Sequence, residues 1–209
     1  MNQITRIALL LSALPMFAMA AEGGAVYTEI STNGLGVGYA KSVADDVAVR
    51  GQINGFNHVF SGDVGDFGGG AVDVQLKMAS VMLLGDWYPS DGGLRVSGGV
   101  VANRNKIDVN AISATIMGKP GVTASASIKL GDTVSPYLGV GYSTRPKDAK
   151  GFGFIFDLGV LFQNPTVDLR LVGGGVNQAD ADAQLIKVKN AVANFRNMPV
   201  IGFGVTYAF

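Results

Sequence analysis

The sequence predicts an all-β fold, an antiparallel up-and-down transmembrane β-barrel, and three observations carry that prediction. The first is apolar content without a spanning helix. The chain is 48% hydrophobic and only 15% charged, with 30 glycines and no cysteine. After residue 20 no run approaches the roughly 20 apolar residues that a membrane helix needs. A soluble exported domain would carry nearer a quarter charged, and the lack of cysteine means that its stability cannot rest on disulfides. The second is strict alternation at the C-terminus: Ile201, Phe203, Val205, Tyr207 and Phe209 alternate with Gly202, Gly204, Thr206 and Ala208. A period of two is a strand, and its second face carries small side chains where a soluble sandwich would carry charge. The third is that such alternation recurs along the chain. Without helices, a closed barrel is the remaining way to satisfy every backbone group in a bilayer.

The first 20 residues stand apart. Arg6 precedes an apolar run from Ile7 to Phe17, and Ala18-Met19-Ala20 forms a small-x-small triplet, the pattern of a secretory signal peptide cleaved after Ala20. The run is short for a membrane anchor and Pro15 interrupts it. The expected organisation is a leader over 1–20 and one barrel domain over 21–209. Of the 16 basic residues Arg6 leaves with the leader, so 15 face 16 acidic ones. No basic excess remains to hold nucleic acid.

The strands follow in order. "AVYTEIS" points Val26, Thr28 and Ile30 outward and Glu29 inward, and Asn33-Gly34 turns it tightly into "GLGVGYAK". "VAVRGQINGF" faces Arg50, Gln52 and Asn54 inward, before the glycine-rich "SGDVGDFGGG". In "AVDVQLKMASVMLLGDWY", Val72, Val74, Leu76 and Met78 are read as outward and Asp73, Gln75 and Lys77 as inward. Its length suggests a bulge near Ala79-Ser80. "PSDGG" leads to "LRVSGGVVAN", which turns Arg95, Ser97 and Asn103 inward. Lys106 to Gly121 reads as a longer loop. "VTASASIKL" and "SPYLGVGYST" form a hairpin joined at "GDTV". "FGFIFDLGVLF" sets Phe152, Phe154, Phe156, Leu158, Val160 and Phe162 opposite Gly153, Asp157 and Gly159. "NPT" turns it into "VDLRLVG", with Asp168 and Arg170 inward. With the final strand the set is ten, an even number that places both termini on the periplasmic side. Eight remains open if the "ASASIK" hairpin lies outside the wall, or if the short first pair is one strand. One short helix is expected near the C-terminus, over 177–197, where Leu185, Val188, Val192 and Phe195 recur at helical spacing. It would either plug the lumen or pack on the rim.

The signal peptide, the hairpins "GLGVGYAKSVADDVAVRGQI" and "LLGDWYPSDGGLRVSGGV", "SPYLGVGY" and the terminal "FGVTYAF" together resemble small proteobacterial outer-membrane barrels of the OmpW-like and OmpA-transmembrane-like type. The resemblance implies a bacterial outer-membrane location. It also implies that the row Phe203, Val205, Tyr207 and Phe209 serves as the signal read by the outer-membrane insertion machinery. The other expected partners are outer-membrane lipid and lipopolysaccharide, with the barrel a monomer.

Parity turns Glu29, Asp73, Asp157 and Asp168 inward with Arg50, Lys77, Arg95 and Arg170. The balance of signs permits a paired, narrow lumen, since unpaired charge there would be costly. A row of one sign along a wider pore would instead select ions. The inward glycines Gly36, Gly38, Gly202 and Gly204 leave room for bulky side chains across the lumen. Catalysis would need a nucleophile or activated water beside a base. His58 is the one histidine, and Ser61 lies an odd number of residues away on the opposite face of a continuing strand. "GLGVGY" and "GGGVNQ" lack the phosphate-loop lysine and the dinucleotide fingerprint, and "DADAQ" lacks calcium-loop spacing. The sequence therefore points to no catalytic residue, cofactor or metal site. Three functions remain: a structural or surface-interaction barrel, a small-solute channel, and, behind them, a lipid-modifying enzyme.

Overall fold

The computed structural model describes residues 24–63, 70–90, 92–116, 118–143 and 150–209. The leader, its cleavage point and the centre of the glycine-rich loop lie outside the described residues. Among the described residues eleven strands form one antiparallel sheet: β1 (Gly24–Ser31), β2 (Gly34–Ser42), β3 (Val47–Asp63), β4 (Ala71–Trp87), β5 (Leu94–Asn103), β6 (Lys106–Ile116), β7 (Lys119–Lys129), β8 (Val134–Ser143), β9 (Gly151–Phe162), β10 (Thr166–Gly173) and β11 (Asn197–Ala208). Helix α1 (Gln178–Val192) and a 3₁₀ turn (Ala193–Arg196) join β10 to β11. No helix among the described residues is long and apolar enough to cross a membrane.

Eight strands close the barrel, in the order β4-β3-β2-β1-β11-β9-β8-β5 with β5 returning to β4. Closure removes the sheet edges, which is what a barrel wall requires. β1 begins beside the point where β11 ends, with the Phe209 amide donating to the Gly24 carbonyl at 3.1 Å.

The expected ten wall strands are corrected to eight wall strands and three others. β4 pairs with β5 along Ser80–Trp87 and with β6 along Ala71–Lys77, so β5 and β6 run in line up one side of it. By the same logic β7 leads down into β8, and β9 leads up into β10. β3, β4, β6, β7 and β10 thus extend the wall beyond the barrel rim, on the side away from the termini. On the opposite flank the wall stops low, because β1 and β2 join through a tight turn at Thr32-Asn33 with Gly34 at φ +105°. The stretch 106–121, read as a loop, holds β6 and the start of β7.

The bulge expected near Ala79-Ser80 is absent. β3 and β4 pair without interruption from Val47↔Trp87 to Asp63↔Ala71. Parity therefore runs unbroken up β4, and its consequence is an inversion. In the barrel wall Val81, Leu83 and Trp87 point out while Met82, Leu84 and Asp86 are buried inside. Above the rim the same inward parity carries Val72, Val74 and Leu76, and Asp73, Gln75 and Lys77 point out. These assignments correct the sequence reading. Leu76, with its register partner Ile107 and then Ile128, packs on the inner core. The barrel is apolar outside, whereas the extension is apolar inside.

The outer face of the wall is a continuous apolar band. Phe152 is 86% exposed, Ile30 70% and Phe203 59%, and an exposed patch of such side chains is a lipid-facing one in a closed barrel. Near the termini Tyr39, Phe152, Tyr207 and Phe209 cluster, with Phe152 edge-on to Tyr207 at 5.0 Å and Phe209 6.5 Å from Tyr39. Amphipathic rings of this kind sit at a membrane interface.

Helix α1 opens on a capping box in which Asn177 and Asp180 exchange side-chain-to-backbone hydrogen bonds, satisfying amides that the first turn leaves without partners. The helix packs beside β10, and Lys119 at the start of β7 pairs with Asp180. Val192 is its buried anchor. The segment lies at the rim and edge of the extension rather than inside the lumen.

Candidate functional site

The barrel interior is filled at two levels. At the lower level Arg50 from β3, Asp86 from β4, Arg95 from β5 and Asp157 from β9 converge. Asp157 accepts from Arg50 Nη1 at 2.7 Å and Nη2 at 3.1 Å, and from Arg95 Nη2 at 2.7 Å on both oxygens. Asp86 lies 3.0 Å from Arg50 Nε and 3.6 Å from Arg95 Nε, and accepts from Ser97 Oγ at 2.6 Å. All four charged side chains are no more than 4% exposed. Bidentate guanidinium–carboxylate contacts are the geometry that offsets the desolvation of such charges.

Polar partners continue the cluster. The Tyr27 ring lies 5.7 Å from the Arg50 guanidinium, within cation–π range, and its hydroxyl donates to Gln52 at 3.0 Å. Gln52 donates to Asn54 at 2.7 Å, and Asn54 to Ser80 at 3.1 Å. Above this, Met78, Met82, Leu84, Val101, Leu130, Tyr137, Leu161, Met198 and Val200 form one apolar layer across the lumen.

Glycines make room for it. A Cβ at Gly38 would collide with the Tyr27 ring, one at Gly139 or Gly159 with Tyr137, and one at Gly202 with the Glu29 carboxylate. Glu29 lies between Gly204 and Gly36 in register. It is 5% exposed, and its Oε2 makes no hydrogen bond.

Of the eight charged residues assigned to the lumen by parity, Glu29, Arg50, Arg95 and Asp157 lie inside the barrel. Asp73, Lys77, Asp168 and Arg170 do not: they occupy the outward face of the extension, on β4 and β10. Asp86 was missed. It follows Met82 and Leu84 at every second position, opposite the outward Val81, Leu83 and Trp87, and that alternation alone turns it inward.

On the outward face the side-chain character changes at one level. Above Ala79 on β4 comes Lys77, above Ala102 come Arg104 and Lys106, and above Val134 comes Lys129. Lys77 is the register partner of Lys106, and Lys106 of Lys129. Asp108 lies 3.2 Å from Lys77 and 2.8 Å from Lys106. Partial burial pushes its carboxyl up, but hydrogen bonds from Lys106 and Lys77 outweigh this and hold it below its ordinary value.

His58 sits on the inner face of the extension between Phe56 and Phe60, its ring 4.5 Å from that of Phe60. Ser61, across the strand, faces the other way. Among the described residues no cluster of histidine, aspartate or glutamate could hold a metal ion.

A closed eight-stranded antiparallel barrel with an apolar outer band, an interfacial aromatic cluster and a polar interior defines an outer-membrane-type β-barrel. Solved structures share this fold. Acinetobacter baumannii CarO, an outer-membrane β-barrel protein, aligns at TM-score 0.64 and 23% identity over 90% of this chain and 98% of its own. A. baumannii CarO2 aligns at 0.64 and 21%, over 89% and 97%. Yersinia pestis Ail, the attachment invasion locus protein crystallised with the heparin analogue sucrose octasulfate, aligns at 0.46 and 13%, over 90% and 100%. No protein-family model matches the chain, and no curated protein matches it.

Proposed function

We propose that this protein is exported by its leader to the bacterial outer membrane, and that its sealed barrel has a structural and surface-display role. The observation that carries the reading is the two-level filling of the lumen: the Arg50–Asp86–Arg95–Asp157 cluster under the Met82–Leu161–Met198 layer. Charges paired this tightly in a narrow barrel hold the wall together rather than line a water path. The extension then offers a polar sheet to the outside. The proposal contains no reaction step, because His58 is packed between phenyl rings with its nearest hydroxyl-bearing strand neighbour on the opposite face. Planar-bilayer recording of the refolded protein tests the reading. Absence of unitary steps is the expected result, and stable steps in the unmodified protein would overturn it.

The channel reading draws on a different feature. The inner face of the extension carries Phe56, Phe60, Val74, Val109 and Leu169, a half-open apolar vestibule above the layer. It suits an amphiphilic solute, which would have to displace the methionine-rich layer to pass. Methionine side chains are the most adaptable of core fillers, so Met82→Leu and Met198→Leu would reduce any such passage.

A further inference from the structure

We propose that the outward seam around Arg104, Lys77, Lys106 and Lys129 is a docking site for a phosphate-bearing lipid of the outer leaflet. The proposal rests on the outer-membrane placement given above. Its starting point is a juxtaposition that the sheet register forces. Lys77, Lys106 and Lys129 occupy directly adjacent positions on β4, β6 and β7, and Arg104 lies beside them at the break between β5 and β6, its amide bonded to the Ala79 carbonyl at 2.8 Å. Like charges placed side by side across strands repel. One carboxylate, Asp108, serves both Lys77 and Lys106. Arg104 and Lys129 have no ion-pair partner among the described residues. The other nearby acids do not reach the row: Asp132 is held by Asn164 at 2.7 Å, and Asp168 lies one row further from the barrel, beside Ser127. An excess of positive charge therefore remains.

Its height on the wall identifies what neutralises it. The basic row marks the level where the outward face passes from apolar to polar on β4, from β5 into β6 and from β8 into β7, which is where lipid headgroups meet a barrel. Arg104 itself lines a recess of about 430 Å³ in the wall, together with Ile53, Ala79, Val81, Ala102 and Thr133 and with the polar Asn54, Ser80 and Asn103. The surface it exposes is mostly apolar, from Ile53, Ala79, Val81 and Ala102, so an acyl chain fits beside a phosphate held by the guanidinium. A free anion would use the cations and leave the recess empty. Lipid uses both.

The test is a lipid titration read by native mass spectrometry, using the full mature chain refolded in an uncharged detergent. The probes are hexa-acylated bisphosphoryl lipid A and the same lipid without phosphates. The unmodified protein is expected to retain the phosphorylated form preferentially. Arg104→Gln with Lys129→Gln should weaken that binding about thirty-fold, as expected for two basic groups at an anionic surface. Lys187→Gln with Lys189→Gln, an equal loss of charge on α1, should leave it unchanged. Equal weakening by both pairs, or no preference for phosphate in the parent, overturns the site. If the first pair does not give the folded, heat-modifiable band on a gel, Lys129→Gln alone is read, with about a five-fold loss expected. Unitary conductance in the same preparation would count against the sealed-barrel reading and leave the lipid result standing.

Discussion

Asp157 is gripped by two arginines from two other strands: Arg50 of β3 and Arg95 of β5 each place a guanidinium nitrogen 2.7 Å from its carboxylate. One short side chain on β9 thus ties three wall strands together across the lumen. Replacing it leaves two buried cations to share Asp86 alone. Asp157→Ala should cost about 3–5 kcal/mol, the usual cost of breaking a buried pair, measured by urea unfolding in detergent or lipid. Arg50→Ala should fall in the same range. Arg170→Ala on the exposed extension should stay within about 0.5 kcal/mol. Losses below about 1 kcal/mol for the first two would mean a hydrated lumen.

Gly202 and Glu29 make a second cross-strand pair, and it is steric. The Glu29 carboxylate occupies the space where a Cβ on Gly202 would stand. Gly202→Ala should destabilise the barrel by about 1–3 kcal/mol, as overpacking does. Adding Glu29→Ala should restore most of the loss, a coupling visible in a double-mutant cycle. Simple additivity of the two changes would show that the glycine serves some other purpose.

The barrel wall was legible in the sequence because one face of each wall strand has to meet lipid. β9 and β11 show this in full: Phe152 to Phe162 and Ile201 to Phe209 give both strand and facing from alternation alone. The extension was not, since its strands obey the opposite rule. Above the rim water lies outside, so Val72, Val74 and Leu76 turn in and Lys77 turns out, although the alternation itself never changes phase. Reading apolar as outward everywhere misplaced Asp73, Lys77, Asp168 and Arg170, and required a bulge that the uninterrupted β3–β4 register does not contain. β6 escaped notice for the same reason: "KIDVNAISATI" has no large outward apolar row. Nothing local in the sequence marks the height at which bilayer gives way to water. The row of cations at Lys77, Lys106 and Lys129 marks it only once the register has brought them together.

Asp108 offers a pH test outside the membrane. Burial raises its carboxyl, yet the hydrogen bonds from Lys106, Lys77 and Ser127 and the charge of Lys106 together hold the folded value below the ordinary 3.8. A depressed carboxyl contributes stability that is present above its unfolded value and lost as pH falls through the folded one. The contribution should therefore be constant from pH 7 to about 5 and be lost progressively as pH falls from about 3.9 through the lower folded value. Its size should not exceed about 1 kcal/mol, because the lysines face solvent. Carboxyl-carbon NMR of Asp108 should titrate at lower pH than in Lys77→Gln, Lys106→Gln. An unchanged midpoint in that variant would remove the lysines as the cause.

Phe209 completes the outward row Phe203, Val205, Tyr207 and Phe209, and the fold gives it two roles that a single variant can separate. Its ring lies 6.5 Å from both Tyr39 and Tyr207, within the aromatic cluster at the end of the wall. Its amide closes the β1–β11 seam on Gly24. Phe209→Ala keeps the amide and removes the ring. If the ring serves only the cluster, the variant should insert normally and unfold at somewhat lower urea. If the terminal ring is what the insertion machinery reads, outer-membrane levels should fall while the purified variant still refolds in detergent to a heat-modifiable barrel. We expect the second pattern, with an envelope-stress response in cells. Phe203→Ala makes the control: it sits in the same row, 6.3 Å from Phe154, but away from the terminus. It should weaken wall packing and leave insertion close to normal. Equal insertion defects in the two variants would assign the effect to the apolar row as a whole rather than to the terminal residue.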